Sequence, residues 1–312
     1  MTRPVILVTA ADLAPEALAL LTNYEVVFAG KTPTDEDIVG LCRTHNPVGI
    51  IVRYAKVGAA AMDAASNLKV ISKHGSGTDT IDKEAAQQRG IAVVAAVGAN
   101  AAAVAEHAVA LLLACAKSIV HLDARMREGK WDKATHKSIE LEGRTIGVVG
   151  LGAIGLRFAN IAHAMGMRVL GHDPYASATP DFIERVPLTS IWTQSDAISL
   201  HCPLTADNRH LLNAETLRQC KPGVIIVNTA RGGLIDEPAL MDAVDSRQVA
   251  FAGLDSFGVE PMTSPHGFQT RDRIILSPHV GGVTADAYKK MGVASVQNAL
   301  AILHSNPARQ AA

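Results

Sequence analysis

The sequence predicts an α/β protein built from two doubly wound parallel sheets, one in each of two domains. Short β-branched runs alternate with Ala- and Leu-rich amphipathic stretches, which is the pattern of parallel strands covered by helices. The alternation occurs in two series, which a long helical stretch separates. The chain of 312 residues is also longer than one hydrophobic core usually serves, so we expect two domains.

The first series contains five predicted strands. β-branched residues dominate the runs Val5–Val8, Glu25–Phe28, Gly49–Val52, Val70–Ser72 and Ala92–Val94. The Ala-rich stretch that follows, residues 101–117, has the length and composition of a buried helix. This part of the chain therefore predicts one sheet and then a long helix.

The second series contains six predicted strands: Thr145–Val149, Arg168–Gly171, Ala197–Leu200, Val224–Asn228, Ala250–Leu254 and Ile274–Leu276. A last helix over Ala285–Leu300 has only earlier structure to pack on, so we expect it to return to the first sheet. The first domain is then discontinuous, formed by residues 1–98 and 285–312, and residues 99–284 form an inserted domain.

Charge and composition favour a small-molecule partner. The net charge is −1 and both signs are scattered, so the sequence indicates no basic face for nucleic acid and no polybasic membrane anchor. The longest apolar stretch, residues 101–119, is interrupted by Glu106, His107 and Lys117, which favours a buried helix over a membrane span. No basic and then apolar leader precedes Val5, so we expect a cytoplasmic protein.

The cysteines indicate neither a metal site nor a disulfide framework. Cys42, Cys115, Cys202 and Cys220 are widely spaced, without a CxxC pair or the spacing of Cys and His ligands. We expect no metal, and we expect thiols that are reduced and mostly buried.

A glycine-rich turn predicts a dinucleotide site in the second domain. The strand from Thr145 runs directly into Gly150-x-Gly152-x-x-Gly155, and a helical pattern over 153–165 begins inside the triplet. Gly150 permits the tight turn, Gly152 lets the backbone approach a pyrophosphate, and Gly155 lets helix and strand pack closely. The N–H groups at the helix start face the anion. A purely structural turn is the alternative.

The next strand ends at Asp173, which lies 23 positions after Gly150 (173 − 150). An acidic residue about 20 positions after the turn binds the adenosine ribose in dinucleotide folds and repels a 2′-phosphate. We therefore predict NAD over NADP. The alternative is an aspartate that only caps a helix or shapes a loop.

Four later segments carry a family resemblance: His201–Thr205, Asn228–Asp236, Leu254–Pro261 and Ser277–Gly282. With the glycine turn, and in this order, they resemble the D-isomer-specific 2-hydroxyacid dehydrogenases, which include phosphoglycerate dehydrogenase and hydroxypyruvate reductase. Lys73–Asp82 resembles the glycine-rich substrate loop of that family, and Asn100–His107 resembles its linker helix. The resemblance covers nearly the whole chain, and we expect a Rossmann NAD domain inserted into a flavodoxin-like substrate domain.

The resemblance implies a catalytic set of Arg231, Glu260 and His279. Arg231 offers a planar fork of donors for a substrate carboxylate. His279 is expected to exchange a proton with the oxygen on C2, and Glu260 to accept a hydrogen bond from its imidazole, which orients the ring and favours its protonated form. Taken singly, each has an alternative: a solvated arginine, a loop glutamate and a Pro-His pair that only shapes a turn.

Further cofactor contacts follow from the resemblance alone. It implies Ala153 and Ile154 at the pyrophosphate, Cys202 and Pro203 beside the adenine, Thr229, Ala230 and Arg231 along the nicotinamide ribose, Asp255 at the carboxamide, and His279 and Gly281 close by. An inert buried thiol is the alternative for Cys202.

On the substrate side we expect the backbone amides of Ser76 and Gly77 to bind the carboxylate. Arg53 and Lys73 follow predicted strands and are candidates for a second anionic group; the alternative is that both are surface charges. His74 is expected to be structural.

The expected reaction is hydride transfer between NAD(H) and C2 of a small 2-hydroxy or 2-oxo acid. Candidate substrates are 3-phosphoglycerate with its oxidised form phosphohydroxypyruvate, or the 2-oxo acids hydroxypyruvate and glyoxylate. The resemblance also implies a homodimer joined through the NAD domain, with helix 101–119 at the interface. The alternatives are an NAD(H)-sensing scaffold of the corepressor type and a relative of formate or phosphite dehydrogenases.

Overall fold

A computed structural model describes residues 3–262 and 265–305. Contacts between residues divide the chain into two compact units. The first unit comprises Met1–Asn100 and Val283–Ala312, and the second comprises Ala101–Gly282.

The first unit is a five-stranded parallel sheet. Its strands are β1 (Val5–Val8), β2 (Glu25–Phe28), β3 (Gly49–Val52), β4 (Val70–Lys73) and β5 (Ala92–Ala95), in the order β2-β1-β3-β4-β5. The helices are α1 (Pro15–Leu18), α2 (Asp35–His45), α3 (Ala59–Asp63), α4 (Lys83–Gln88) and the last of the chain, α11 (Ala285–His304). This order is the flavodoxin-like one, as predicted.

Both faces of the first sheet are buried. Ile50, Val52 and Ile71 pack with α2, α3 and α4, whereas Ile6, Val8 and Ile51 face the other way, toward α1 and α11. Because successive residues of a strand point to opposite faces, continuous apolar runs such as Ile50–Val52 are what a sheet covered on both sides requires.

The second unit is a seven-stranded parallel sheet in the order β12-β11-β10-β9-β6-β7-β8. Its strands are β6 (Thr145–Val149), β7 (Arg168–His172), β8 (Ile183–Arg185), β9 (Ala197–Leu200), β10 (Val224–Asn228), β11 (Val249–Leu254) and β12 (Ile274–Leu276). The helices are α5 (Ala101–Lys117), α6 (Ile119–Arg127), α7 (Ala153–Ala164), α8 (Leu188–Gln194), α9 (Ala214–Gln219) and α10 (Glu237–Asp245). The order reverses beside β6, which is the Rossmann arrangement that was predicted.

Two elements of the second unit were not predicted. Strand β8 has a single buried residue, Ile183, which the polar residues Glu184 and Arg185 follow, so it carries no β-type alternation. Helix α6 begins after Ser118, whose φ of +51° breaks the helical path that the apolar stretch 101–119 suggested. Strand β8 therefore depends on tertiary packing more than on local pattern.

No single helix within 3–262 and 265–305 has both the length and the apolar composition to span a membrane. Helices α5 and α6 meet those criteria only as a pair, and they are bent by 61°.

Candidate active site and cofactor-binding turn

The chemically distinctive residues of the second unit follow the carboxyl ends of its strands. Gly150 follows β6, Asp173 follows β7, Thr229 follows β10, Asp255 follows β11 and Ser277 follows β12. Because all these strands are parallel, their carboxyl ends share one edge of the sheet, where open α/β sheets bind ligands.

The glycine turn is shaped by close backbone packing. Gly150 has a φ of +95°, and a Cβ there would lie 2.6 Å from the backbone nitrogen of Cys202. A Cβ on Gly155 would lie 1.9 Å from the carbonyl oxygen of Gly150, so only glycine lets α7 start so close to β6. These two contacts hold the strand, the turn and the helix in one compact unit.

The middle glycine of the motif faces open space. A Cβ on Gly152 would meet nothing within 4 Å, and no side chain of the described residues caps the amino end of α7, which Gly152 precedes. The N–H groups of the first helical turn are therefore left for an anion. A pyrophosphate fits this turn.

Asp173 lies beside the same turn. Its Oδ2 accepts a hydrogen bond from the N–H of Leu151 at 2.8 Å, and its Oδ1 accepts one from the N–H of Tyr175 at 2.8 Å. A carboxylate has further lone pairs, so these bonds fix its direction and still leave it able to accept from ribose hydroxyls.

The segment after β9 is fixed by its own side-chain contacts. His201 is half-buried, and burial lowers the pKa of its imidazole to about 3, so it is neutral. Asn208 Nδ2 donates to the carbonyl of Pro203 at 2.7 Å and holds the 202–203 backbone. Burial raises the pKa of the half-buried Cys202 thiol to about 11, so it is not a thiolate nucleophile.

The turn that carries Arg231 is built around the buried Asn228. Asn228 Oδ1 accepts from the N–H of Ala230 at 3.0 Å, and its Nδ2 donates to the carbonyl of Arg231 at 2.9 Å. The hydroxyl of Thr229 is buried and has no hydrogen-bond partner among the described residues. A buried hydroxyl without a partner calls for an explanation, and a contact of Thr229 with the cofactor stays a prediction.

His279 and Glu260 form a direct pair. His279 Nδ1 lies 2.6 Å from Glu260 Oε2, and the other carboxylate oxygen accepts from the N–H of Phe257 at 2.9 Å. The hydrogen bond to Glu260 raises the pKa of His279 above its ordinary value and outweighs burial, which lowers it. Since Nδ1 is engaged, Nε2 is the nitrogen left to meet a substrate.

Glu260 is ionised in this pair. Burial raises the pKa of its carboxyl, but the hydrogen bonds from His279 and Phe257 and the nearby charges of His279 and Arg231 together bring it below the ordinary value. The charge of Arg231 also lowers the pKa of His279. The three predicted catalytic residues are therefore electrostatically coupled within one unit.

The loops that carry Arg231 and Glu260 are packed against each other. A Cβ on Gly232 would lie 1.9 Å from the carbonyl carbon of Phe257, so the two backbones touch where Gly232 lacks a side chain. Glu237 Oε1 accepts from the N–H of Gly258 at 2.8 Å and fastens the same junction. Neither contact was predicted from the sequence, although Gly232 lies within the segment Asn228–Asp236 and Glu237 directly follows it.

Asp255 holds the turn on which His279 sits. The carboxylate is 2 % exposed, and it accepts hydrogen bonds from Ser277 Oγ at 2.6 Å, Val280 N at 2.9 Å and Gly281 N at 2.8 Å. His279 itself has a φ of +53°, a left-handed conformation that is strained for a residue with a side chain. The contact of Asp255 with a carboxamide stays a prediction.

In the first unit, Arg53 is paired within the unit. Its guanidinium forms an ion pair with Asp12 and lies over the ring of Tyr288, 4.8 Å from the centroid, with a side chain 12 % exposed. The hydrogen bond from Arg53 is the main reason that the pKa of Asp12 is lowered. Lys73 Nζ donates to the carbonyl of Arg53 at 3.0 Å.

The predicted substrate loop follows β4 in the same unit. Gly75 has a φ of +133°, and Ser76 Oγ accepts from the N–H of Gly98 at 3.4 Å. His74 is buried beside Tyr288, and burial lowers its pKa to about 4, which agrees with the structural role expected for it.

Comparisons with known proteins give the family. Residues 109–281, more than half of the chain, match the model described as "D-isomer specific 2-hydroxyacid dehydrogenase, NAD binding domain". The chain is 40% identical over 287 residues to a hydroxypyruvate reductase of Thermotoga maritima, covering 91% of this chain and 94% of that protein. It is also 40% identical over 296 residues to a D-3-phosphoglycerate dehydrogenase of Mycobacterium bovis, covering 94% of this chain.

The chain spans 55% of the length of that phosphoglycerate dehydrogenase. The crystal structure of a glyoxylate reductase from Paecilomyes thermophila is similar with a TM-score of 0.87 and 29% identity, covering 98% of this chain and 97% of that one. The predicted fold, family and cofactor are confirmed. The chain belongs to the D-isomer-specific 2-hydroxyacid dehydrogenases and is an NAD-dependent oxidoreductase.

Proposed function

We propose that His279 is the acid and base for hydride transfer at C2 of a small 2-oxo or 2-hydroxy acid. The observation that carries the proposal is the 2.6 Å contact between His279 Nδ1 and Glu260 Oε2. In the reducing direction, protonated Nε2 donates to the carbonyl oxygen, so that no free alkoxide forms. In the oxidising direction, the neutral ring takes that proton back.

Glu260 and Arg231 have separate tasks in this proposal. Glu260 keeps the imidazole ring in one orientation and favours its protonated form, as its effect on the pKa of His279 requires. Arg231 binds the substrate carboxylate with its planar fork of donors and thereby places C2 for reaction. The coupling of its charge to both partners of the pair supports a place beside them.

NAD, when bound, supplies or accepts the hydride. We propose that Gly150, Gly152 and Gly155 with the N–H groups of Ala153 and Ile154 hold the pyrophosphate, and that Asp173 holds the adenosine ribose. The open space at Gly152 and the uncapped amino end of α7 support this assignment. The remaining proposed contacts are Cys202, Pro203, Thr229, Ala230, Arg231, Asp255, His279 and Gly281.

A pH profile tests the pair of His279 and Glu260. For reduction of the 2-oxo acid, kcat/KM is expected to be constant while His279 is protonated and to fall about tenfold per pH unit above its pKa. That pKa lies above 6.5, the ordinary value for histidine. Glu260→Gln removes the charge that raises it, so the alkaline limb is expected to move to lower pH.

The exposed Glu215→Gln in the same unit is the matched control, and its profile is expected to coincide with that of the wild type. An unmoved alkaline limb in Glu260→Gln would show that Glu260 does not set the protonation of His279.

Two glycine variants separate folding from cofactor binding. Gly155→Ala forces a Cβ against the carbonyl of Gly150, and we expect the free energy of unfolding to fall by ~1–3 kcal/mol, as for overpacked sites. Gly152→Ala meets open space, so stability should be retained while NADH binding weakens. Thermal unfolding measures the stability of each variant, and the quenching of protein fluorescence by NADH measures its affinity for the cofactor. Equal stability of the two variants would contradict the packing argument.

We propose that Ser76 and Gly77 of the first unit bind the substrate carboxylate, that Arg53 and Lys73 serve the substrate as hydrogen-bond donors rather than as charges for a second anion, and that the substrate tail is small and uncharged. Hydroxypyruvate and glyoxylate fit this description. The ion pair between Arg53 and Asp12 supports the choice, because Asp12 already neutralises the charge that a phosphate would need. The similarity to hydroxypyruvate reductase over 94% of that protein also favours it. Phosphohydroxypyruvate is the second candidate.

We further propose a homodimer joined through the NAD-binding unit. Helix α5 is largely buried within its own unit, so the apolar surface for an interface lies farther along, in α6 and after it. Ile119, Val120, Met126 and Trp131 are all exposed there. A monomer mass by light scattering at micromolar concentration would contradict the proposal.

A cytoplasmic location is also proposed. The four cysteines are free, and three of them are buried. Unpaired thiols in this number suit a reducing compartment, where disulfides are rare.

A further inference from the structure

We propose that His107, on helix α5, is a positioning residue that holds the turn carrying His279. The inference rests on the proposed catalytic role of His279. His107 Nε2 lies 2.8 Å from Ser277 Oγ and 3.4 Å from Asp255 Oδ1. Ser277 begins the Ser-Pro-His sequence that ends at His279.

His107, Ser277 and Asp255 form a chain of hydrogen bonds, and its direction is set by Asp255, which is the acceptor at one end. Asp255 accepts from the N–H groups of Val280 and Gly281 as well, so Ser277 Oγ uses its single proton in the 2.6 Å bond to Asp255 Oδ1. The oxygen of Ser277 is then left to accept. His107 must therefore donate from Nε2, and the order is His107 to Ser277 to Asp255.

Asp255 links this chain of bonds to both sides of His279. Ser277 lies before His279, and Val280 and Gly281, whose N–H groups donate to Asp255, lie after it. His279 N also donates to the carbonyl of Ser277 at 3.0 Å. A left-handed conformation is strained for a residue with a side chain and persists only where its surroundings hold it. These bonds are what holds it.

The packing of the ring supports the same role. A Cβ placed on Gly281 would lie 2.9 Å from Asp255 Oδ2 and 3.4 Å from His107 Cδ2, so the turn lies directly against both residues. His107 is 25 % exposed, and its helix is fixed in the core of the unit by fully buried residues such as Ala108 and Leu112. The ring of His107 therefore connects the turn that carries His279 to helix α5.

Loss of the His107 donor has a defined consequence. Ser277 Oγ already lies 3.5 Å from the carbonyl of Leu254, which is an alternative acceptor for its proton. Without His107, the hydroxyl is free to turn toward Leu254, and the bond to Asp255 weakens. The His279 turn then relaxes, and the short contact between His279 and Glu260 is lost from part of the population.

The test compares His107→Leu, which has no donor, with His107→Gln, whose side-chain amide donates in place of the ring. For His107→Leu we expect kcat to fall by about 10- to 100-fold, the scale of a small misplacement of a reacting group. The dissociation constant for NADH should stay unchanged. His107→Gln should recover most of the loss. His163→Leu, which removes an exposed imidazole from α7, is the matched control and should behave as the wild type.

A second readout does not depend on activity. Titration of His279 by NMR reports its contact with Glu260, and Asp255 and Arg231 are the other charges that act on it. We expect the pKa of His279 to fall in His107→Leu and to stay raised in His107→Gln. Ser277→Ala interrupts the same chain of bonds from the other side, so it should lower the pKa as well, with no further fall in the double variant.

Unchanged kcat and an unchanged His279 pKa in His107→Leu would overturn the proposal. It would also be overturned if kcat in His107→Gln were no higher than in His107→Leu. If His107→Leu does not fold, Ser277→Ala decides by the same pKa measurement. Failure of the wild type to reduce any 2-oxo acid would instead refute the proposed function, and the titration of His279 would still test the positioning role of His107.

Discussion

Replacing His279 with Ala is expected to lower kcat for 2-oxo acid reduction by ~10²–10⁴, the usual effect of losing a general acid. NADH binding should change little, because the glycine turn, Asp173 and the Asn228 turn remain intact. Stopped-flow measurement of NADH oxidation and fluorescence titration with NADH provide the two values. We expect a large effect because no second described histidine on this edge of the sheet has a carboxylate partner at 2.6 Å, so none could take over the role of acid.

His163→Ala is the control for this variant, since it removes an exposed imidazole from the same unit. Equal turnover in His279→Ala and in the wild type would remove His279 from the mechanism. A loss of NADH binding parallel to the loss of turnover would assign His279 to the cofactor rather than to proton transfer.

Replacing Arg231 with Lys is expected to lower kcat/KM by about 10²–10³, the range found when one positioned donor at a reacting oxygen is removed. Lysine keeps the charge but not the planar fork that binds a carboxylate with two parallel bonds. Because the charge is kept, the alkaline limb of the pH profile should stay in place. Steady-state kinetics with a single 2-oxo acid, across pH, measure both effects.

Arg231→Gln separates charge from shape. Because the charge of Arg231 lowers the pKa of His279, its removal should move the alkaline limb to higher pH in addition to lowering kcat/KM. Arg218→Lys, on the exposed face of α9, is the matched control. Wild-type kinetics in Arg231→Lys would show that a point charge is enough and that the fork has no role.

Most of the fold follows from local pattern in the sequence. The strand runs are short, rich in β-branched residues and bounded by turns, so ten of the eleven predicted strands begin at the residue that the structure gives, and β11 begins one residue earlier, at Val249. Strand β8 was missed because only Ile183 is buried in it. The predicted helix over 101–117 ends where α5 ends, but helix α6 was missed, and the left-handed Ser118 that precedes it has no signature in the sequence.

The candidate site was predictable only where a motif carried it. The glycine turn and the catalytic set lie in recognisable segments, but the contacts that hold them join distant residues. His107 and Ser277 are 170 positions apart, and Arg53 and Asp12 are 41 apart. Pairings of this kind depend on the folded topology, which a single sequence does not display.

Asp255 illustrates the difference between a motif and its structural use. The resemblance implies a contact with the carboxamide, whereas in the protein the carboxylate accepts three hydrogen bonds from the Ser277–Gly281 turn. These three donors explain why a buried acid is tolerated there, since a buried carboxylate must be satisfied by donors. Asp255 follows Leu254 at the end of β11, whereas the residues that donate to it come after the next strand, β12.

The most direct test of the account is the oxidation of NADH by the wild type in the presence of glyoxylate, pyruvate, hydroxypyruvate, phosphohydroxypyruvate or sulfopyruvate, with NADPH in parallel. We expect turnover with hydroxypyruvate or glyoxylate, a clear preference for NADH, and loss of that turnover in His279→Ala. Absence of turnover with every acid, while NADH still binds, would contradict the account and favour a formate or phosphite relative or an NAD(H)-sensing scaffold.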